Sequence, residues 1–238
     1  MALPKVYDWR RVRAALELLA ESFPAEFSNW VLIGGGACWF YRESLDKAND
    51  PDFRVPPVSA EDEIHWLSKD VDFMGLMEAE ATELLQAPFN AESHTISFKG
   101  LEVDFLEEGF RLAPELAQAA RREVRTSDFI FYVVDPAVLY SEKCALITKK
   151  DRPQDRLHQM LLREYLKYEF RADVENLHAL EPSNWIASVR TVKTADLTFF
   201  EQDERLQHRL IPAMAALTAP EFRAIKHWAK HHLPGYSE

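Results

Sequence analysis

Three aspartates in the first half of the chain stand where two strands would bring them to one point. Asp70 and Asp72 lie two residues apart in Lys69-Asp70-Val71-Asp72-Phe73, and the period-two geometry of a strand turns both side chains to the same face. Asp104 sits in Glu102-Val103-Asp104-Phe105, with Val103 and Phe105 directed the opposite way. If the two strands are neighbours, the three carboxylates converge. Ionised carboxylates held together repel and raise one another's pKa unless a cation sits between them, so the trio predicts a magnesium site built from hard oxygen ligands. A pair of ions held in this way suits phosphoryl or nucleotidyl transfer, with one activating the attacking hydroxyl and the other neutralising the departing pyrophosphate. The third carboxylate is then a ligand and a general base.

A second element complements the acids. Trp30-Val31-Leu32-Ile33 is a short apolar run, and Gly34-Gly35-Gly36 carries it directly into a helix expected over 37 to 45. Bare backbone at a helix N-terminus lets phosphate oxygens approach N–H groups closely, so Gly34, Gly35 and Gly36 offer the other half of such a site. The spacing is not that of a dinucleotide-binding turn, because Trp39 occupies the position of the last glycine in G-x-G-x-x-G.

The elements that must position these residues can be read outward from them. An opening amphipathic helix over 9 to 22 has Asp8 as its N-cap and Val12, Leu16 and Leu19 on one face. Residues 48 to 63 collect prolines and acids without a period and read as an exposed loop. A strand over 69 to 75 leads into a helix over 76 to 86, and a hairpin joins 94 to 98 with 101 to 106 through Lys99-Gly100. A helix over 113 to 122 and a strand over 128 to 134 follow. Beyond Pro136 the pattern is helical throughout, with helices expected at 136 to 148, 155 to 180, 183 to 194, 199 to 217 and 220 to 232. The expected class is α+β: a mixed sheet flanked by helices over residues 1–135, then an all-helical region over 136–238.

Composition narrows the partners. The chain has 39 acidic against 28 basic residues, so its formal charge of −11 disfavours long-range attraction to nucleic acid while leaving room for a local basic groove. No run of eighteen apolar residues is present, and the N-terminal stretch lacks a signal-peptide core, which predicts a cytoplasmic protein with no membrane partner. Cys38 and Cys144 are too few for a disulfide framework or a cysteine zinc site and read as small buried residues.

The motifs together resemble the polymerase-beta-like nucleotidyltransferase superfamily, and within it the bacterial minimal and abortive-infection-toxin types. The resemblance rests on Ile33-Gly34-Gly35-Gly36-Ala37, on Ser68-Lys69-Asp70-Val71-Asp72-Phe73 and on Val103-Asp104-Phe105, in that order. It implies that the glycine turn lies under a nucleoside triphosphate such as ATP, that Asp70 and Asp72 bind two Mg²⁺ ions, and that Asp104 is the third ligand. It extends through Leu139-Tyr140-Ser141-Glu142-Lys143-Cys144-Ala145 and Lys149-Lys150-Asp151-Arg152-Pro153-Gln154-Asp155, which implies a phosphate-contacting role for Lys143. The chain departs from the pattern at two places. Gly36 and Ala37 stand where many relatives carry Ser or Thr, and His158 stands where a further acid is expected.

The leading expectation is therefore a Mg²⁺-dependent enzyme transferring an NMP from an NTP to a hydroxyl on a small molecule, an RNA end or a protein. A catalytically inactive interaction protein acting through its helical second half is the alternative, and a metal-dependent nuclease a third reading. His227 and His231 at i, i+4 have a zinc-compatible spacing, but Trp228 replaces the Glu of His-Glu-x-x-His and an exposed basic helix end is the plainer account.

Overall fold

The computed structural model describes residues 8–59, 63–66 and 68–175, together with 227, 230 and 231, which are helical and exposed. Most of the helices expected beyond 180 lie outside the described residues. The rest forms a mixed seven-stranded sheet with helices, as the α+β expectation required.

Helix α1 (Trp9–Ser22) starts where Asp8 accepts the N–H of Arg11 at 2.9 Å, and it buries Val12, Ala15, Leu16 and Leu19. Strand β1 (Val31–Leu32) runs straight into α2 (Gly34–Ala48), so the glycines form the first turn of that helix instead of preceding it. This differs from the expected start at 37. Low helix propensity placed the glycines outside, whereas their packing against neighbouring elements holds them in. Strand β2 (Val71–Met74) is shorter than expected and leaves Asp70 in the bend just before it. There follow α3 (Glu78–Leu85), β3 (Phe89–Asn90) and the hairpin of β4 (Thr95–Phe98) and β5 (Leu101–Phe105), whose Lys99 and Gly100 have φ of 47° and 86° as a tight two-residue turn needs.

Helix α4 (Pro114–Ala119) ends earlier than expected because the chain turns into an edge strand, β6 (Arg121–Arg125), paired antiparallel with β7 (Ile130–Val134). The Arg-Arg-Glu-Val-Arg run does not announce a strand. Charged residues at an edge are a common guard against unwanted pairing, and the ladder to β7 supplies what local sequence does not. Helices α5 (Pro136–Lys150) and α6 (Pro153–Glu175) complete the described fold.

The strand order is β3-β4-β5-β2-β1-β7-β6, with β2–β5 and β1–β7 parallel and the other pairs antiparallel. On the face opposite Asp72, Phe73 and Phe105 stack at 5.7 Å, and Trp30 meets Phe105 edge-on at 5.0 Å. A one-residue slip of β2 against β5 would expose Phe73 and drive Asp72 into this cluster, so burial worth about 2 kcal/mol per aromatic also sets the register of the acids.

Helix α6 packs along α5 and α2, and α2 lies against β2. Polar ties fix that arrangement. Arg122 on β6 binds Asp135 through two nitrogens at 2.8 and 2.6 Å and also grips Glu169 on α6, while Arg171 on α6 pairs with Asp50 just beyond α2. Leu139, Leu161 and Phe170 belong to the same buried cluster as Val71 and Val103, so α5 and α6 share the core of the sheet.

Candidate metal and nucleotide site

Parallel pairing places Asp72 opposite Asp104 as Cα partners, on the same face of adjacent strands. Asp70, from the bend before β2, joins them, and one carboxylate oxygen from each residue lies within 4.8 Å of the others. It is the one such group of potential metal ligands among the described residues. The spacing argument needed Asp70 on the strand. The bend delivers it to the acids by a different route, with the Ser68 hydroxyl donating to Asp70 Oδ1 at 3.4 Å.

All three carboxyls hold their protons more tightly than usual. Loss of solvent is the first cause at Asp72, which is raised well above the ordinary value, and the charges of Asp70 and Asp104 add to it. Asp104 is pushed up to about 6 by burial and then by Asp70. Asp70 is raised by burial, against the Ser68 hydrogen bond and the charge of Lys69. A cation between the carboxylates would remove the penalty each imposes on the others, and oxygen-only donors suit magnesium over softer metals. The residues therefore fit such an ion on their own chemistry.

The glycine turn abuts this cluster directly. Gly34 has φ +59°, and a Cβ there would land on the Asp72 carboxylate, so both conformation and space demand glycine. Gly35 donates its N–H to Asp72 Oδ2 at 3.3 Å, and a Cβ on it would meet Ser68 Oγ at 2.8 Å. Gly36 faces the core instead, toward Leu32 and Val12. The N-terminus of α2 thus already favours negative charge at Asp72.

Lys143 is buried on α5 and pairs with Asp155 at 2.8 Å, while its charge also reaches Asp72 and favours the ionised form there. Burial would raise the Asp155 carboxyl, but Lys143 and Arg152 outweigh it and hold that carboxyl low. One helical turn on, His158 is buried beside Gly35 and Trp66, and neither of its ring nitrogens has a partner among the described residues. Burial and the nearby Lys143 and Arg152 charges keep it neutral. Cys38, also on α2, has its thiol pushed up to about 12, chiefly by burial.

Ser68 and His158 are the site neighbours for which residue type gave no role. Ser68 was detectable as the residue two before Asp70, and His158 as i+3 from Asp155. Arg42 lies 4.7 Å from the ring centres of both Trp39 and Trp66, making the wall beside His158 cationic and aromatic. His227 and His231 have ring centres 4.6 Å apart, and no third ligand joins them among the described residues.

Fold and site together define a mixed α+β protein with a convergent aspartate trio at a glycine-rich helix start. The chain matches no known family model and no curated protein. Among the described residues, no helix is long and apolar enough to cross a membrane.

Proposed function

We propose that this protein is a Mg²⁺-dependent nucleotidyltransferase of the polymerase-beta-like kind, moving an NMP from an NTP such as ATP to a hydroxyl acceptor in the cytoplasm. The observation that carries the reading is the meeting of Asp70, Asp72 and Asp104 within 4.8 Å at the point where the glycine turn approaches Asp72. Asp70, Asp72 and Asp104 are the residues that would hold magnesium, which when bound supplies charge neutralisation for the triphosphate and the departing pyrophosphate.

The protein's own groups divide the remaining work. The first turn of α2 offers backbone N–H groups to phosphate oxygens. Lys143, held by Asp155, adds a buried positive charge behind Asp72. The acceptor hydroxyl oxygen attacks the α-phosphorus, the bond to pyrophosphate breaks, and the hydroxyl proton passes to a carboxylate. Asp104, the carboxylate contributed by the neighbouring strand, is the candidate for that role.

Incubation with each of the four labelled NTPs, comparing wild type with Asp70→Asn/Asp72→Asn, tests the proposal. Transfer by wild type alone is expected. Transfer that survives the double substitution removes these acids from the chemistry.

A second reading, an inactive interaction protein, is favoured by two particulars: Lys143 is already engaged by Asp155, and His158 replaces an expected acid. Calorimetry with Mg²⁺ and a non-hydrolysable NTP separates the two, since the inactive form gives no metal-dependent nucleotide heat.

A further inference from the structure

The stripe of α2 that starts at the glycine turn leads away from the acids into a second polar cluster. Gly35, Trp39 and Arg42 recur at helical spacing, so they share one face of α2, and about 10 Å of helix separates the first from the last. That face meets the short helical turn Glu63–Trp66 and the His158 end of α6. The Arg42 guanidinium reaches both indoles, 4.7 Å from the ring centres of Trp39 and Trp66, whose own centres are 6.4 Å apart. His158 closes the inner end, with its ring centre 5.9 Å from that of Trp66 and its edge against Gly35.

The inner atoms of this cluster have nothing to bond. Trp39 Nε1, Trp66 Nε1, Arg42 Nη1 and both ring nitrogens of His158 are buried and make no hydrogen bond. Trp39, Trp66 and His158 are each at least nine-tenths buried. A folded chain seldom tolerates one such buried group without a partner, and here several lie side by side. Trp30 Nε1 is also unmet, but it is a single donor among phenylalanines, far from any other unpaired polar group of this kind.

Charge selects what could meet them. The unmet atoms are donors, apart from one lone pair on the neutral imidazole, and the charges acting on His158 are those of Lys143 and Arg152, both cationic. A guanidinium at one end and cations behind the other repel a cation and favour an anion. Arg42 also shows which anion suits it. Its Nη2 already holds the Glu63 carboxylate at 2.9 Å, on the solvent side, where Glu63 is half exposed. Nη1 is the unfilled half of the same planar fork and matches a second carboxylate. Aromatic walls with a few placed polar groups are the usual lining of a small-molecule site.

We infer that Trp39, Arg42, Trp66 and His158 form a binding site for a small monocarboxylate, separate from the aspartate trio, with Glu63 at its solvent edge. The carboxylate oxygens accept from Arg42 Nη1 and the indole N–H groups, and the His158 ring supplies the polar contact at the inner end. Gly35 is the wall common to both sites, since its N–H donates to Asp72 while its α-carbon faces Ser68 and His158. The inference goes beyond the transferase reading and stands without it.

The test is a saturation-transfer NMR titration of acetate on the full chain, without metal or NTP, paired with thermal unfolding in acetate, phosphate or chloride at one ionic strength. Acetate is expected to bind and to raise Tm more than phosphate or chloride does. Arg42→Gln is expected to weaken acetate binding about tenfold or more, the worth of a charge-assisted hydrogen bond. Trp66→Phe keeps an aromatic ring but removes its donor, so it should also lose affinity, and it serves if Arg42→Gln does not fold. Glu63→Gln frees the second arm of the fork and should tighten binding, a gain that a merely structural Arg42–Glu63 pair does not give. Asp70→Asn/Asp72→Asn should bind acetate as wild type does. Absence of acetate binding, an equal response to phosphate or chloride, or binding indifferent to Arg42→Gln and Trp66→Phe overturns the inference. So does binding that disappears with the two aspartates, which would put the anion at the acids. Acetate binding without transfer in the NTP assay supports this site and overturns the transferase reading alone.

Discussion

Asp72 and Asp104 are direct partners across a parallel pair of strands, and this single register places their carboxylates side by side where Asp70 can join them. The aromatic residues on the reverse face, Phe73 and Phe105, share the same pairing. Hydrophobic burial on one side of the sheet therefore holds electrostatic repulsion together on the other. The consequences are measurable.

The first concerns pH. The folded protein binds protons at Asp72 and Asp104 more tightly than the unfolded chain, whose aspartates titrate near about 4. With Asp104 raised to about 6 and Asp72 also raised well above its ordinary value, the unfolded state carries fewer protons than the native one through this window, so stability without metal falls as pH rises. Magnesium opposes the loss by binding the ionised form. Thermal unfolding followed with and without Mg²⁺ should show a larger metal-induced rise in Tm at pH 7.5 than at pH 5, and an equal rise at both would contradict the linkage.

Neutralising the acids should separate stability from function. Asp72→Asn removes a desolvated charge from between two others, so the metal-free protein is expected to melt at a higher temperature than wild type while losing its response to Mg²⁺ and its transferase activity. A lower melting temperature in metal-free buffer would show that the ionised group is not under strain.

Gly34→Ala combines two defects. A positive φ of 59° costs an L-residue roughly 1 kcal/mol or more, and the new methyl collides with the Asp72 carboxylate. Gly100→Ala is the control, since it shares a positive φ of 86° but has open space around it. Both variants should be destabilised in urea titrations, whereas only Gly34→Ala should lose the magnesium-induced rise in Tm.

Lys143→Met leaves Asp155 fully buried with Arg152 as its remaining partner, a loss on the order of 3 kcal/mol for a broken buried pair. Lys143→Met/Asp155→Asn should regain much of that stability without regaining activity. If the single variant unfolds at the wild-type urea concentration, the pair is not a structural tie.

How far the site was legible in advance varies from residue to residue. Asp72 and Asp104 were readable because period-two alternation assigns a face, and Val103 and Phe105 mark the opposite one. Asp70 was found for an incomplete reason, since it lies in a bend rather than on β2. The charged edge strand β6 was invisible because its residues gain nothing from their own neighbours in sequence.

The amino-acid order by itself determined the common face of Asp72 and Asp104, the capped opening helix and the tight hairpin, all of which follow from backbone geometry within a few residues. Only the tertiary structure decided that β2 and β5 are parallel neighbours in register, that Lys143 meets Asp155, and that Arg122 joins Asp135 to Glu169. Those contacts join segments tens of residues apart, and they are selected by burial summed over the whole core, which no local stretch of chain contains.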